Sequence, residues 1–343
     1  MKRWGLTLLA LVAAAFSVEA GIDNHMVKFY QPLPYLVEVY SSQQSGTGSQ
    51  NFGRGSGFFY QNPERGCFIF TNSHVVGPVL QQKMWVRFES EKDGRQVGIL
   101  GNDPVMDVAL LECPSPLPPD AASASLGNES DIVVGQMVYG VGWPFGVRSV
   151  AKGEINAPES PFSPFMFANQ SPVHPGNSGG PLFTVRDSGE VVVVGMNTLQ
   201  TPQGLQSHSL AVQYIERLAI QMLSQRGVVY HGTMGMKIES INGIHPDLYQ
   251  FIANRTYPPN EKSGVLVTKV FDGSPAARVG IKAGDIIVEM SHDGQPIPFA
   301  TMKEFFVELA LTLKPNDSVH LSARRGDQSL EFDVRLEPYI PQD

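Results

Sequence analysis

Gly176-Asn177-Ser178-Gly179-Gly180-Pro181-Leu182 is the stretch on which the reading of this chain turns. A serine hydroxyl is a poor nucleophile at neutral pH. It needs a base to take its proton, an acid to orient that base, and donors for the oxygen that becomes negative. Upstream stand His74, in Thr71-Asn72-Ser73-His74-Val75-Val76, and Asp107, at the end of Asp103-Pro104-Val105-Met106-Asp107. Glycines around Ser178 permit a sharp turn that aims the amides of Gly176 and Ser178 at one point. The pattern proposes covalent acyl transfer with His74 as base, Asp107 as orienting acid, Ser178 as nucleophile and those two amides as oxyanion donors. It calls for no metal and no cofactor. Asp103 competes with Asp107, but Asp103-Pro104 reads as a turn, whereas Asp107 opens the apolar run Val108–Leu111. His174, in the loop before Gly176, reads as a cleft-lining or structural residue rather than a second base.

Gly176-x-Ser178-x-Gly180 also fits the nucleophile elbow of α/β-hydrolases, whose partners run serine, acid, histidine. Here the order is His74, Asp107, Ser178, as in chymotrypsin-like double barrels. Short β-branched or apolar runs adjoin each residue (Cys67–Thr71, Val108–Leu111, Val191–Val194), with no alternating helices of a doubly wound sheet. The elbow reading loses, and the fold is expected to be mainly β.

The chain has 343 residues, 34 Gly and 26 Pro, enough for two turn-rich domains. Its formal charge of −8 comes from scattered Asp and Glu without a basic patch, which argues against nucleic acid as a partner. Lys2 and Arg3, the apolar run Trp4–Phe16 and Val18-Glu19-Ala20 read as a signal peptide over 1–20, cleaved after Ala20. The apolar run is short against the ~20 residues that span a bilayer. The alternative is an uncleaved N-terminal anchor facing the periplasm; no other stretch is long enough to cross a membrane. Cys67 lies seven residues before His74 and Cys113 six after Asp107. An antiparallel register that brings His74 and Asp107 together makes facing residue numbers sum to about 180, which the cysteines satisfy. They are expected as cross-strand neighbours, either a disulfide or two thiols.

Ser41–Gly55 reads as a polar loop, and Ala211–Gln225 as the first clear helix, with Ile215, Leu218, Ala219, Met222 and Leu223 on one face and Gly227 ending it. Beyond it the texture changes. Gly264–Phe271 reads as a strand, Ser274–Gly280 as a short capped helix, and Ala283–Met290 as the approach to another strand. Thr301-Met-Lys-Glu304 is a capping box opening a helix to Thr312, and Val319–Arg324 with Ser329–Leu336 makes a hairpin about Gly326-Asp327. This describes one small β domain, a barrel or sandwich with two helices.

The segments TNSHVV, DPVMDVALLE, GWPFG and HPGNSGGPL resemble the HtrA/Deg family of secreted trypsin-like serine proteases, and GSPAARVGIKAGDIIVEM resembles the PDZ domain attached to them. The resemblance implies a chymotrypsin-like double β-barrel protease domain over 21–227 and one PDZ domain over 228–340. It implies a periplasmic or secreted endopeptidase of protein quality control, acting on unfolded or misfolded proteins. It also implies a homotrimer, with Phe29–Tyr35 as the place to look for its contacts. Val173 and the strand bearing Met196, Thr198 and Leu199 would line the specificity pocket. No acid stands there, so cleavage is expected after small or medium aliphatic residues. Gly232-Thr233-Met234-Gly235-Met236 matches the loop that grips a peptide's C-terminal carboxylate, with the Thr301 helix as the far wall; at least one of the two methionines is expected in the core. The approach Ser171-Pro172-Val173-His174-Pro175 departs from the family's usual pattern. That departure motivates a second hypothesis, a holdase-type chaperone or peptide-binding protein with a latent site. The stretch Ile241–Ser263 reads as an elaboration of the PDZ domain.

Overall fold

Period-two alternation sorts the N-terminal half into two cores. The computed structural model describes residues 24–44, 50–77, 83–201, 204, 206–225, 227–242, 244–253 and 263–339. The expected leader over 1–20, and parts of the 41–55 and 241–263 segments, lie outside the described residues. A short helix α1 (Asn24–Tyr30) precedes strands β1 (Leu36–Gln44), β2 (Gln50–Asn62) and β3 (Gly66–Thr71), and the one-turn helix α2 (Ser73–Val76) follows. Four more strands come next: β4 (Lys83–Phe88), β5 (Arg95–Val97), β6 (Ile99–Asp103) and β7 (Val108–Glu112). They pair in the order β6-β7-β3-β2-β1-β4-β5. Successive side chains on a strand face opposite ways. Phe59, Ile69 and Leu111 therefore enter one core, while their neighbours Phe58, Phe70 and Leu110 enter a second core shared with the next barrel.

That barrel is built from β8 (Met137–Gly142), β9 (Ser149–Ala157), β10 (Met166–Asn169), β11 (Pro181–Val185), β12 (Val191–Gln200) and β13 (Ser207–Ala211). It closes in the order β10-β13-β12-β11-β8-β9, so it has no free edge. Helix α3 (Val212–Gln225) buries Ile215, Leu218, Ala219 and Met222, the face that the periodicity marks, in the core shared by the barrel and the first sheet, with Met222 against Gly101 of β6. The chain then returns to the first sheet as β14 (Gly227–Val228), parallel to Gly101-Asn102 of β6. Val228, expected to open the second domain, thus stays on the first sheet's edge.

One other expectation needs correcting. Most of the polar segment after Tyr40 is ladder rather than loop: the β1–β2 register set by Leu36↔Phe58 runs on through Ser41↔Gly53 to Gln44↔Gln50. Backbone pairing, once in register, continues regardless of side-chain polarity. In the expected subunit-contact segment, Phe29 is buried in its own barrel, stacked on Tyr139 at 4.8 Å and Phe183 at 5.3 Å. Tyr35 packs on Phe183 as well, which leaves Tyr30 as the exposed ring of that segment.

The C-terminal domain begins with β15 (Gly232–Thr233) and β16 (Met236–Ser240), followed by helix α4 (Pro246–Ala253), β17 (Val265–Val270) and α5 (Pro275–Arg278). Strands β18 (Ile286–His292) and β19 (Gln295–Pro296) lead to α6 (Met302–Thr312), then β20 (Ser318–Arg325), β21 (Gln328–Arg335) and β22 (Glu337–Pro338). The Thr301 hydroxyl accepts from the Glu304 amide and the Glu304 carboxylate reaches back to the Thr301 amide, the capping box read from sequence. A third helix, α4, adds to the two expected. Tyr249 on it is buried with Ile241, Leu266 and Ile286, so the elaboration supplies a small core of its own. Helix α6 docks on the protease half through Val307 and Ala310 in the shared core and an Arg217–Glu308 contact at 3.5 Å. Among the described residues no helix is long and apolar enough to cross a membrane.

The β3–β7 pairs Phe68↔Glu112 and Ile69↔Leu111 have the register that the cysteine spacing implies. Cys67 and Cys113 continue it as free thiols, and burial together with the adjacent Cys67 thiol pushes the Cys113 thiol far up. Oxidation with diamide is expected to join them. Thiol titration in denaturant should fall from two reactive groups to none, and two thiols surviving prolonged oxidation would contradict the juxtaposition.

Candidate active site

The turn after β3 and the turn before β7 bring His74 and Asp107 together. His74 Nδ1 lies 2.8 Å from Oδ2 and 3.0 Å from Oδ1 of Asp107, and Oδ1 also accepts the His74 backbone amide at 2.9 Å. A carboxylate only accepts, so Nδ1 carries the ring proton and Nε2 keeps its lone pair for a substrate-side proton. Asp107 has φ +56°, a left-handed conformation unusual for a residue other than glycine. Its carbonyl is held by Asn72 Nδ2 at 2.8 Å. Burial alone would lower the His74 pKa, but the Asp107 hydrogen bond and charge outweigh it, and the pKa is raised above the ordinary value.

The nucleophile loop is pinned from the first barrel by a serine that the sequence reading passed over. Ser56 on β2 is fully buried. Its hydroxyl donates to the Gly176 carbonyl at 2.7 Å and accepts the Trp143 amide at 3.0 Å, and its backbone amide donates to the Ser178 carbonyl at 2.8 Å. The Pro175 carbonyl accepts the Phe145 amide at 3.0 Å, and the Asn177 amide donates to the His174 carbonyl at 2.8 Å. A trans peptide sets its N–H opposite its C=O. Tying Pro175 C=O to Phe145 therefore turns the Gly176 N–H the other way. Neither the Gly176 nor the Ser178 amide has an acceptor among the described residues. Gly176 takes φ +106°, and a Cβ there would collide with the Trp143 carbonyl. The Ser178 hydroxyl makes no hydrogen bond among the described residues, His74 included; such contacts commonly tighten only with substrate in place.

Asp103 is buried away from His74, with Oδ1 accepting the Val105 and Met106 amides at 3.1 and 3.0 Å, as a turn-former does. The His174 ring stacks on exposed Phe145 at 6.4 Å. Val173 and Thr198 are buried, Leu199 is half-buried, and Met196 lies in the second barrel's core. A bulge in the β12–β13 ladder between Asn197 and Leu199 leaves Thr198 out of register. Its hydroxyl lies 3.0 Å from the Met196 carbonyl and 3.4 Å from Asn72 Nδ2, beside the acid's support.

In the second domain, β16 is the edge strand of its sheet, unpaired on the side toward α6. Met234 is buried in the domain core, whereas Gly232, Thr233, Gly235 and Met236 line a groove of about 450 Å³ opposite Phe306 and Leu309 of α6. The sequence did not reveal the groove's third wall. It comes from the protease half, through Met106 and the Phe162–Phe165 loop.

Comparison with known proteins matches residues 55–196 to a trypsin-like peptidase domain and 232–336 to a PDZ domain. A probable periplasmic serine endoprotease DegP-like of Pseudomonas putida (strain W619) is 31% identical over 289 residues, covering 82% of this chain and 55% of that protein. A protein of the same description from Hahella chejuensis is 30% identical over 291 residues, covering 82% and 56%. The chain thus spans about half the length of these relatives. Among solved structures, the HtrA-type protease AlgW with a decapeptide superposes with TM-score 0.67 at 20% identity, covering 93% of this chain and all of that one. The serine endoprotease from Yersinia pestis superposes at 0.60 and 20% identity, covering 92% and 98%.

Removing the Ser56 hydroxyl leaves the Gly176 carbonyl and the Trp143 amide buried without their partner. Ser56→Ala is expected to cost about 1–3 kcal/mol in denaturant unfolding. Any activity that needs the Gly176 amide in place is expected to fall by roughly 10²-fold. Stability and rate both unchanged would contradict the pinning.

Proposed function

We propose that this chain, which belongs to the HtrA/Deg family, is a serine endopeptidase in which His74, Asp107 and Ser178 act as one unit. The observation that carries the reading is the His74–Asp107 pair, which fixes the tautomer a general base requires. His74 Nε2 takes the Ser178 hydroxyl proton as Oγ attacks the substrate carbonyl carbon. Charge that develops on the carbonyl oxygen meets the amides of Gly176 and Ser178. Asp107 stabilises the imidazolium, which then gives its proton to the leaving amine, and an ester to Ser178 remains. Water repeats the sequence, releases the acid and restores the serine. The pinned approach to Gly176 favours this reading over a latent site with a holdase role.

Substrates are unfolded or misfolded proteins, cut after small or medium aliphatic residues at a pocket formed by Val173, Thr198 and Leu199 with Met196 behind them. Peptide C-termini bind the PDZ groove by adding a strand to the β16 edge, with Gly232–Met236 receiving the carboxylate. The enzyme works in the periplasm after loss of residues 1–20, as a homotrimer. These assignments rest on the family, on the free β16 edge and on the lack of an acid among the pocket residues.

Ser178→Ala is expected to lower turnover of a denatured protein by on the order of 10⁴–10⁶ without unfolding the chain; unchanged proteolysis would contradict the assignment. Peptide products should end in aliphatic residues, and predominant ends at Lys or Arg would contradict the pocket. Below its pKa His74 is protonated and cannot act as base, so activity falls as pH falls. Because Asp107 raises that pKa, the acid limb of kcat/KM is expected above about 6.5. Asp107→Asn should shift the limb downward; a wild-type limb already below 6.5 would contradict the coupling.

A further inference from the structure

His231 stands at the seam of the two domains, just before β15, and is buried. Its Nε2 lies 2.8 Å from Asp103 Oδ2, and its Nδ1 lies 3.1 Å from the Ala310 carbonyl. Both partners are acceptors, so both ring nitrogens donate and the ring is an imidazolium. The surroundings favour that state. Ala310 lies in the last turn of α6, where carbonyls have no partner within the helix and the helix dipole presents its negative end. Burial pushes the ring toward neutrality, but the Asp103 hydrogen bond and charge and the Ala310 carbonyl outweigh it and hold the pKa above the ordinary value. From the β6–β7 turn the facing charge is Asp103. Helix α6 presents the Ala310 carbonyl, α3 presents the Gln221 amide to that same carbonyl at 3.3 Å, and the C-terminal segment presents the Tyr339 amide to the His231 carbonyl.

Asp103 is bonded on both carboxylate oxygens. One carboxylate oxygen holds His231; the other holds the amides of Val105 and Met106. The carboxylate thereby ties the turn that ends on Asp107, whose left-handed backbone faces its side chain toward His74. We propose that His231 is a positioning residue for the triad, holding Asp103 and, through the Asp103–Asp107 turn, keeping the catalytic acid in place from outside the protease domain. The inference rests on the triad reading above and deepens it. Because His231 also lines the peptide groove, one wall of that groove and the acid's turn share a single charged link.

The test begins with unmodified protein. Two-bond proton–nitrogen NMR correlation should show His231 with both ring nitrogens protonated at pH 7, and a neutral tautomer there would overturn the proposal. In kinetics on a short unstructured peptide, His231→Gln should lower kcat by roughly 10- to 100-fold with KM little changed. His231→Arg, which retains a buried donor cation, should recover most of the rate and lose the alkaline limb that the wild type shows as His231 deprotonates. A His231→Gln rate within twofold of wild type, or an alkaline limb retained by His231→Arg, would also overturn it. If His231→Gln fails to fold, the NMR result and the arginine variant still decide. Ser178→Ala run alongside separates the two claims. Equal rates in wild type and Ser178→Ala defeat the triad reading, whereas a sensitive Ser178 with an insensitive His231 defeats only this inference.

Discussion

The hydroxyl and backbone of Ser56 form the joint on which the site depends. The residue comes from the first sheet, yet it grips the Gly176 and Ser178 carbonyls of the nucleophile loop and the Trp143 amide at the end of β8. Ser56 is fully buried between the first sheet and the barrel, where breaking these bonds would leave polar atoms unpaired. That penalty keeps the loop in one conformation. His74 and Asp107 stand on turns of the same first sheet, at the ends of β3 and β6. His74, Asp107 and Ser178 are thus referred to one framework rather than to three independent loops.

Close approach explains the glycines of the opening heptapeptide better than flexibility does. A side chain at Gly176 would collide with the Trp143 carbonyl, and one at Gly179 would collide with the Ser56 carbonyl. The turn is tight because it is wedged between two barrels. Proline at 175 loses no needed donor there, since its contribution is the carbonyl that the Phe145 amide takes.

Much of this was legible from the chain. The order of His74, Asp107 and Ser178 selected the barrel architecture, and the spacing of Cys67 and Cys113 implied the register later seen in the Phe68↔Glu112 pair. The capping box at Thr301 placed α6 to the residue. What escaped has a common physical character. Ser56, the third wall of the peptide groove and the His231–Asp103 pair act between segments 87 to 128 residues apart or across the domain seam, where local pattern carries no signal. An aromatic residue looks the same in sequence whether it meets a partner or, like Phe29, its own barrel.

The site's defining feature is the triad of His74, Asp107 and Ser178, with the amides of Gly176 and Ser178 as oxyanion donors. The most direct measurement is the rate and position of labelling by a fluorophosphonate on the free protein, read by intact mass and peptide mapping. A single adduct on Ser178, abolished by Ser178→Ala, is expected. No adduct on folded protein, or an adduct elsewhere, would contradict it.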